Sequence, residues 1–219
     1  MPGFEKLIKK ISSKNYKKKE LALSGQEIDD EKAIKLARAL KDNSYIEELD
    51  VSNNRITFLG AKALSETNLK KLKINNNPIG DNGIRCIASS KQLVVLEAQA
   101  CEITSQGSNL LFANTILESI NLSFNHLAKE GFLSLVTNTT LRTLILQQVR
   151  IDDNCVELIA QNRSLRKVNL STNSLIRRGA MFLFSSPTIE DLNLSQIRLD
   201  NLRDDIFDTS KSLKRLVLF

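Results

Sequence analysis

Apolar residues return along this chain in a fixed triplet. Segments of the form LxxLxL begin at Ile46, Leu69, Leu93, Leu117, Leu141, Leu165, Ile189 and Leu213. Successive starts differ by 23 residues once and then by 24 residues six times. The last two apolar residues of each triplet stand two apart, so they point to one side of a short strand while their neighbours face the other side. A degenerate copy begins at Lys18 with Leu21, Leu23 and Ile28. Its longer spacing of 28 leaves room for an extra helical turn around Ala33 to Leu40. The pattern predicts eight full repeats and a truncated ninth, 18–219, preceded by an N-terminal helical cap at 1–17.

The rest of each repeat is also in phase. Asn54, Asn77, Asn125 and Asn173 stand three residues beyond the triplet, followed two positions later by Ile56, Ile79, Leu127 and Leu175. A buried amide there can pair with turn backbone that no strand neighbour satisfies. Cys101, Val149 and Ile197 take that position in their repeats, so those turns lose the amide. Leu64, Ile87, Leu111, Leu135, Ile159, Leu183 and Phe207 then recur with apolar residues at helical spacing around them, which predicts a helix in the back half of each repeat. Five of the eight glycines, Gly60, Gly83, Gly107, Gly131 and Gly179, share one phase ahead of those residues. Lacking a Cβ, they let each helix start close to its neighbour.

The string LxxLxLxxNxI followed by a glycine-led helix, as in Leu69 to Ile87, resembles the ribonuclease-inhibitor type of leucine-rich repeat. The resemblance covers nearly the whole chain. The repeat is shorter than that of the vertebrate inhibitor and is similar to that of leucine-rich-repeat effectors injected by intracellular bacterial pathogens. The abundance of Lys, Asn, Ile and Ser fits such a source. The resemblance implies an α/β leucine-rich-repeat solenoid, a horseshoe with a concave parallel sheet, convex helices and no chemistry of its own.

Composition adds limits. With 42% apolar and 26% charged residues in 219, the chain can bury a substantial core. Aromatics are 5% and Trp is absent, which argues against an aromatic-cored β-sandwich. No apolar run reaches transmembrane length, and the start of the chain lacks the apolar stretch of a secretory signal, so a soluble protein is expected. Three cysteines, an odd number without a close pair, argue for free thiols in a reducing compartment. The net charge is +6, yet residues 1–20 hold seven lysines against Glu5 and Glu20, which leaves the body nearly neutral. Without a distributed basic stripe, nucleic acid is not an expected partner.

A binding function would be written on the strand positions that face away from the core. One column reads Ala22, Asp50, Lys73, Glu97, Asn121, Ile145, Asn169, Asn193 and Val217; two residues earlier it reads Glu20, Glu48, Lys71, Val95, Ser119, Thr143, Lys167, Asp191 and Arg215. Val95, Phe124 and Ile145, from three successive repeats, suggest an apolar centre bordered by Gln99, Gln147 and Gln148. Acidic Glu20, Glu48 and Asp50 beside Lys71 and Lys73 offer a charged region towards the N-terminal end. The candidate partner-binding set is therefore Val95, Gln99, Phe124, Ile145, Gln147, Gln148, Lys71, Lys73, Glu97 and Asn121.

Chemistry finds no foothold. His126, the one histidine, falls in a turn with no acid or nucleophile set beside it by the repeat. Cys86, Cys101 and Cys155 belong to different layers or distant repeats, which excludes ordinary zinc-ligand spacing. No phosphate-binding glycine loop is present, and no length remains for a ligase domain. No catalytic residue, metal or cofactor is expected.

Phe4, Leu7, Ile8 and Ile11 recur at helical spacing with lysines on the other face, which suits either a lid on the solenoid or a tether to an anionic surface. Capping is the reading adopted, with a membrane not expected as a partner. At the other end the ninth repeat stops at Leu218 and Phe219 before any helix. Either the chain is cut from a longer protein or that strand closes the sheet unaided. Function then reads as a non-catalytic module, monomeric alone, that docks one protein partner on its concave face. The partner could be another effector, or an enzyme whose active site is blocked. The alternative is an effector adaptor, which brings a target to other machinery such as a ubiquitin ligase through the N-terminal helix or convex face. A cytoplasmic setting is expected, and delivery into a host cytosol follows from the effector resemblance.

Overall fold

In a computed structural model, which describes residues 2–197, 199, 210 and 212–218, every repeat begins with one three-residue strand. The strands are β1 (Glu20–Ala22), β2 (Glu48–Asp50), β3 (Lys71–Lys73), β4 (Val95–Glu97), β5 (Ser119–Asn121), β6 (Thr143–Ile145), β7 (Lys167–Asn169), β8 (Asp191–Asn193) and β9 (Arg215–Val217). They form one parallel sheet in sequence order. The leucine phase fixes the register: Leu21, Leu49, Leu72, Leu96, Ile120, Leu144, Val168, Leu192 and Leu216 occupy one row of the ladder. A slip by one residue would turn that whole row to solvent.

Helices return the chain to the next strand: α1 (Pro2–Ser12), α2 (Asp30–Lys41), α3 (Phe58–Ser65), α4 (Gly80–Ala88), α5 (Ser105–Phe112), α6 (Asp153–Gln161) and α7 (Arg177–Phe184). The fifth repeat differs, forming a 3-10 helix at Lys129–Leu135 where the periodicity predicts an ordinary helix. Its first turn has no side-chain cap, a feature it shares with α4 and α7, and carries Glu130. Phe132 nevertheless stays in the core, its ring 5.5 Å from that of Phe112. The phase position at Phe207 lies outside the described residues. Packed helices need about 8–10 Å of width per repeat and strands only about 4.8 Å, so the sheet takes the inner, concave side of the solenoid. One continuous core runs between the two layers from Ile11 to Ile197.

Asparagine rungs tie successive repeats together. Asn125 Nδ2 donates to the carbonyls of Ala98, Leu122 and Ser123, while its Oδ1 accepts from the amides of Cys101 and Ile103. Asn54, Asn77 and Asn173 do the same for their turns with one amide each. Where Cys101 replaces the amide, its thiol lies 3.2 Å from the Ile74 carbonyl and 3.3 Å from that of Gln99. A second ladder runs through the opposite turns: Asn43, Asn114, Asn138 and Asn162 accept from the two amides leading into the next triplet and donate back to the preceding repeat.

The phased glycines make room for a third link. Asp81 Oδ1 accepts from the amides of Thr104 and Gly107 in the next repeat, at 2.8 and 3.1 Å. A Cβ on Gly107 would sit 2.4 Å from that oxygen. Asp30 serves Thr57 and Gly60 in the same way, and Asp153 serves Ile176. Each carboxylate thus caps the following helix from the first turn of its own, where helix dipoles favour negative charge.

Candidate protein-binding face

The outward strand positions alternate with the leucines, and nearly every strand from β2 to β8 shows a half-buried, buried, half-buried pattern. Opposite charges meet across strands at both ends of this face. On one side Lys19 pairs with Glu47 and Glu48, Lys70 with Glu47, Lys71 with Glu48 at 3.9 Å, and Lys73 with Glu97 at 3.5 Å. The Lys70 ammonium holds the Glu47 carboxyl below the usual carboxylate range, and Glu48 pushes Lys19 upward. On the other side Lys167 and Arg215 meet Asp191, and Arg166 and Lys214 meet Glu190. Between these groups β5 and β6 present Ser119, Asn121, Thr143 and Ile145, without a charge. Exposed pairs of this kind stabilise the fold little. Their effect is to leave a neutral strip bounded by fixed charge.

The candidate residues divide on this geometry. Lys71, Lys73 and Glu97 are engaged in the cross-strand pairs. Asn121 turns its Oδ1 back to the amide and hydroxyl of Ser123, closing the turn after β5, so its carbonyl end is already used. Val95 opens β4 and Ile145 closes β6, two strands and two residues apart. They lie along a diagonal of about 12 Å, with Ser119, Asn121 and Thr143 on the strand positions between them. Gln99 and Gln147 follow their strands, their amides held by Asn75 Oδ1 and Ser123 Oγ. Their side-chain amides make no hydrogen bond among the described residues.

Phe124 and Gln148 belong to a feature that sequence reasoning missed. The residue preceding each rung position, whether that position holds Asn or its replacement Cys101, Val149 or Ile197, is left-handed: Asn53, Asn76, Ala100, Phe124, Gln148, Thr172 and Gln196 all have φ between 49° and 60°. Asn tolerates this region, whereas a bulky side chain there is an outlier. Phe124 holds φ at 60° and is also 44% exposed. The same column forms a polar ladder that stops short of it. Asn76 Nδ2 donates to Asn53 Oδ1, and Asn53 Nδ2 to Ser24 Oγ. Ala100 then interrupts the row, leaving a hollow of about 420 Å³ lined by Ser52, Asn53, Asn75, Asn76, Gln99 and Phe124. A row of Asn before the rung, broken by Ala100 and then Phe124, was the available signal.

Other features are packing. Cys86, Cys101 and Cys155 are free, and burial pushes the Cys101 and Cys155 thiols up to about 11, far from the thiolate that chemistry would need. Among the described residues no group of His, Cys, Asp and Glu is placed to hold a metal ion. No helix among them is long and apolar enough to cross a membrane. On the convex side a hollow of about 280 Å³ between α2 and α3 is lined by Ile34, Ala37, Leu59 and Ala63, with Arg38 and Lys62 at its rim.

Comparison with known proteins places the fold. A family model described as a leucine-rich repeat matches residues 42–65, 66–88 and 113–136, about a third of the chain. No curated protein sequence matches. Among solved structures, an internalin C2 from Listeria monocytogenes superimposes with a TM-score of 0.66 at 18% identity, over 92% of this chain and 80% of that one. An internalin, InlF, from the same species gives 0.61 at 20% identity, over 84% of this chain. The present chain spans about half of InlF, 49% of its length.

Proposed function

We propose that this leucine-rich-repeat solenoid is a non-catalytic module that docks one protein partner on its concave face around β4 to β6, the chain itself being a monomer. Leucine-rich repeats in general serve protein recognition, and the rigid sheet loses little entropy on binding. The observation that carries the reading is Phe124. A phenylalanine that is both left-handed and half exposed costs the fold something at a position where Asn would serve better, and such strain accumulates at functional sites. It stands beside a neutral strip framed by paired charges, the arrangement of an interface core within a polar rim. Where the partner is an enzyme, inhibition follows by occlusion, as the ribonuclease-inhibitor resemblance implies. Delivery into a host cytosol as a bacterial effector is part of the same reading.

The test is a capture from host lysate with wild type, Phe124→Asp and Ile145→Asp, followed by titration of the captured protein. Each substitution should weaken one-to-one binding by at least about 2 kcal/mol, because a charge would be desolvated at the contact. Full-strength binding by both folded variants rejects the site. That outcome favours a second reading, an adaptor working through the convex hollow, where Phe58 and Leu59 are 44% and 49% exposed and Phe58 stands at the helix position that Asp30 and Asp81 occupy elsewhere.

A further inference from the structure

The N-terminal helix need not be either lid or tether, because its two faces are used separately. Ile11 is fully buried, and Phe4, Leu7 and Ile8 pack against the core. Lys6, Lys9 and Lys10 are thereby turned outward and exposed. The chain that follows is pinned to the same end. Buried Asn43 donates to the carbonyls of Ile11 and Tyr16, at 3.1 and 3.2 Å, and Tyr16 donates its hydroxyl to the Glu20 carbonyl. Lys14, Lys17 and Lys18 are exposed on this fixed segment.

Among the described residues only Lys19 of these seven lysines forms an ion pair. Glu5, the acid within α1, is drawn to Lys35 instead. Six cations therefore crowd one end of a body that is otherwise close to neutral. Both tyrosines of the chain are here as well: Lys10 Nζ lies 5.8 Å from the ring centre of Tyr16, and Lys17 Nζ 6.0 Å from that of Tyr45. Tyr45 is 47% exposed.

We propose that this end of the solenoid is a docking surface for an anionic lipid bilayer. Three observations select a bilayer over other polyanions. All seven cations are Lys and none is Arg. Lys acts as a hydrated point charge suited to a diffuse anionic plane, whereas Arg suits bidentate recognition of a shaped carboxylate or phosphate. The charge is confined to one end, so it offers no track along which a nucleic acid could lie. Tyrosine is a residue of the membrane-water interface. Because the apolar face of α1 is taken up by the core, the contact is peripheral: it rests on charge, reverses with salt and needs no insertion of the helix.

The experiment is sedimentation of the full chain with vesicles of phosphatidylcholine containing roughly one third phosphatidylserine, against vesicles of phosphatidylcholine alone, at low salt and at ~0.5 M salt. Wild type should bind the acidic vesicles only, and high salt should release it. The variant Lys9→Gln, Lys10→Gln, Lys17→Gln, Lys18→Gln should lose at least tenfold in affinity. A control, Lys91→Gln, Lys129→Gln, Arg150→Gln, Arg177→Gln, removes equal charge elsewhere and should keep full binding. Should the first variant fold poorly, Lys17→Gln with Lys18→Gln, both outside any helix, should still give a measurable loss. The proposal is overturned by absent binding to acidic vesicles at low salt, by equal binding to neutral ones, by equal loss in the control, or by tighter lysine-dependent binding to duplex DNA. Ile145→Asp should bind vesicles like wild type, so this surface and the concave site can fail separately.

Discussion

Replacing Asn125 by Ala removes one rung between the fourth and fifth repeats, and the structure sets the size of the loss. Its Oδ1 is the acceptor for two buried amides, Cys101 and Ile103, both at 3.0 Å. Alanine leaves both donors without it at a position 1% exposed, each costing about 1–3 kcal/mol, while the carbonyls it served lose a shared donor. The expected total is about 3–5 kcal/mol. Asn77 is an internal control: it has the same three carbonyl partners by position but accepts from one amide only, that of Ile56. Asn77→Ala should therefore cost about 1–2 kcal/mol less. Urea unfolding followed by circular dichroism measures both. Because repeats couple mainly to their neighbours, Asn125→Ala should also lower the m-value or split the transition as the halves unfold apart. A cost below about 1 kcal/mol for Asn125→Ala, or a larger one for Asn77→Ala, would refute the account of the rungs.

Gly107→Ala puts a Cβ 2.4 Å from Asp81 Oδ1. It should lower stability by about 1–3 kcal/mol in thermal unfolding, with a smaller loss in an Asp81→Ala background where the obstructing oxygen is gone. Burial raises the Cys101 thiol from 9.0 to about 11, so above pH 9 the unfolded chain releases this proton while the folded chain keeps it. Stability from this group is complete below pH 9 and falls as pH rises towards 11, a decline that Cys101→Ser should reduce in urea titrations at several pH values.

The strands and their register were legible, though each starts two residues after the triplet does, because one physical requirement, apolar side chains two apart on a core-facing row, recurs at a spacing of 23 or 24 from Ile46 to Leu213. The columns read from that spacing are the ladder's columns, Glu48 beside Lys71 and Val95 beside Ser119. The rung at Asn54, Asn77, Asn125 and Asn173 was legible for the same reason. The carboxylate link was not. The glycines announced a close approach, but the approaching group is an aspartate 26 residues earlier in Asp81 and Gly107, and polar residues in a first helical turn ordinarily cap their own helix. The ladder through Asn43, Asn114, Asn138 and Asn162 escaped because Thr67, Ser90 and Ser186 interrupt it, so the sequence shows half a period rather than a repeat.

The site was legible only as a set of outward residues, because a repeat encodes what every unit shares and a partner is met by what they do not. Lys71, Lys73 and Glu97 read as candidate partner contacts, and the structure adds that each also has a cross-strand counter-ion, since parallel register sets Lys73 directly beside Glu97 and Lys71 beside Glu48. Phe124 looked like one of three apolar residues at a centre. Its backbone sets it apart from Val95 and Ile145: the turn demands a left-handed residue, the first three repeats supply Gly25, Asn53 and Asn76, and the later ones Ala100, Phe124, Gln148, Thr172 and Gln196, of which Phe124 is the aromatic one. Asn or Gly suits that backbone best and fills it in three repeats, while the polar or small Gln148, Thr172, Gln196 and Ala100 fill it in four others. Left-handed, 44% exposed and beside the hollow at Ala100, Phe124 is therefore the residue on which the proposed docking site stands or falls, and Phe124→Asp is its most direct test.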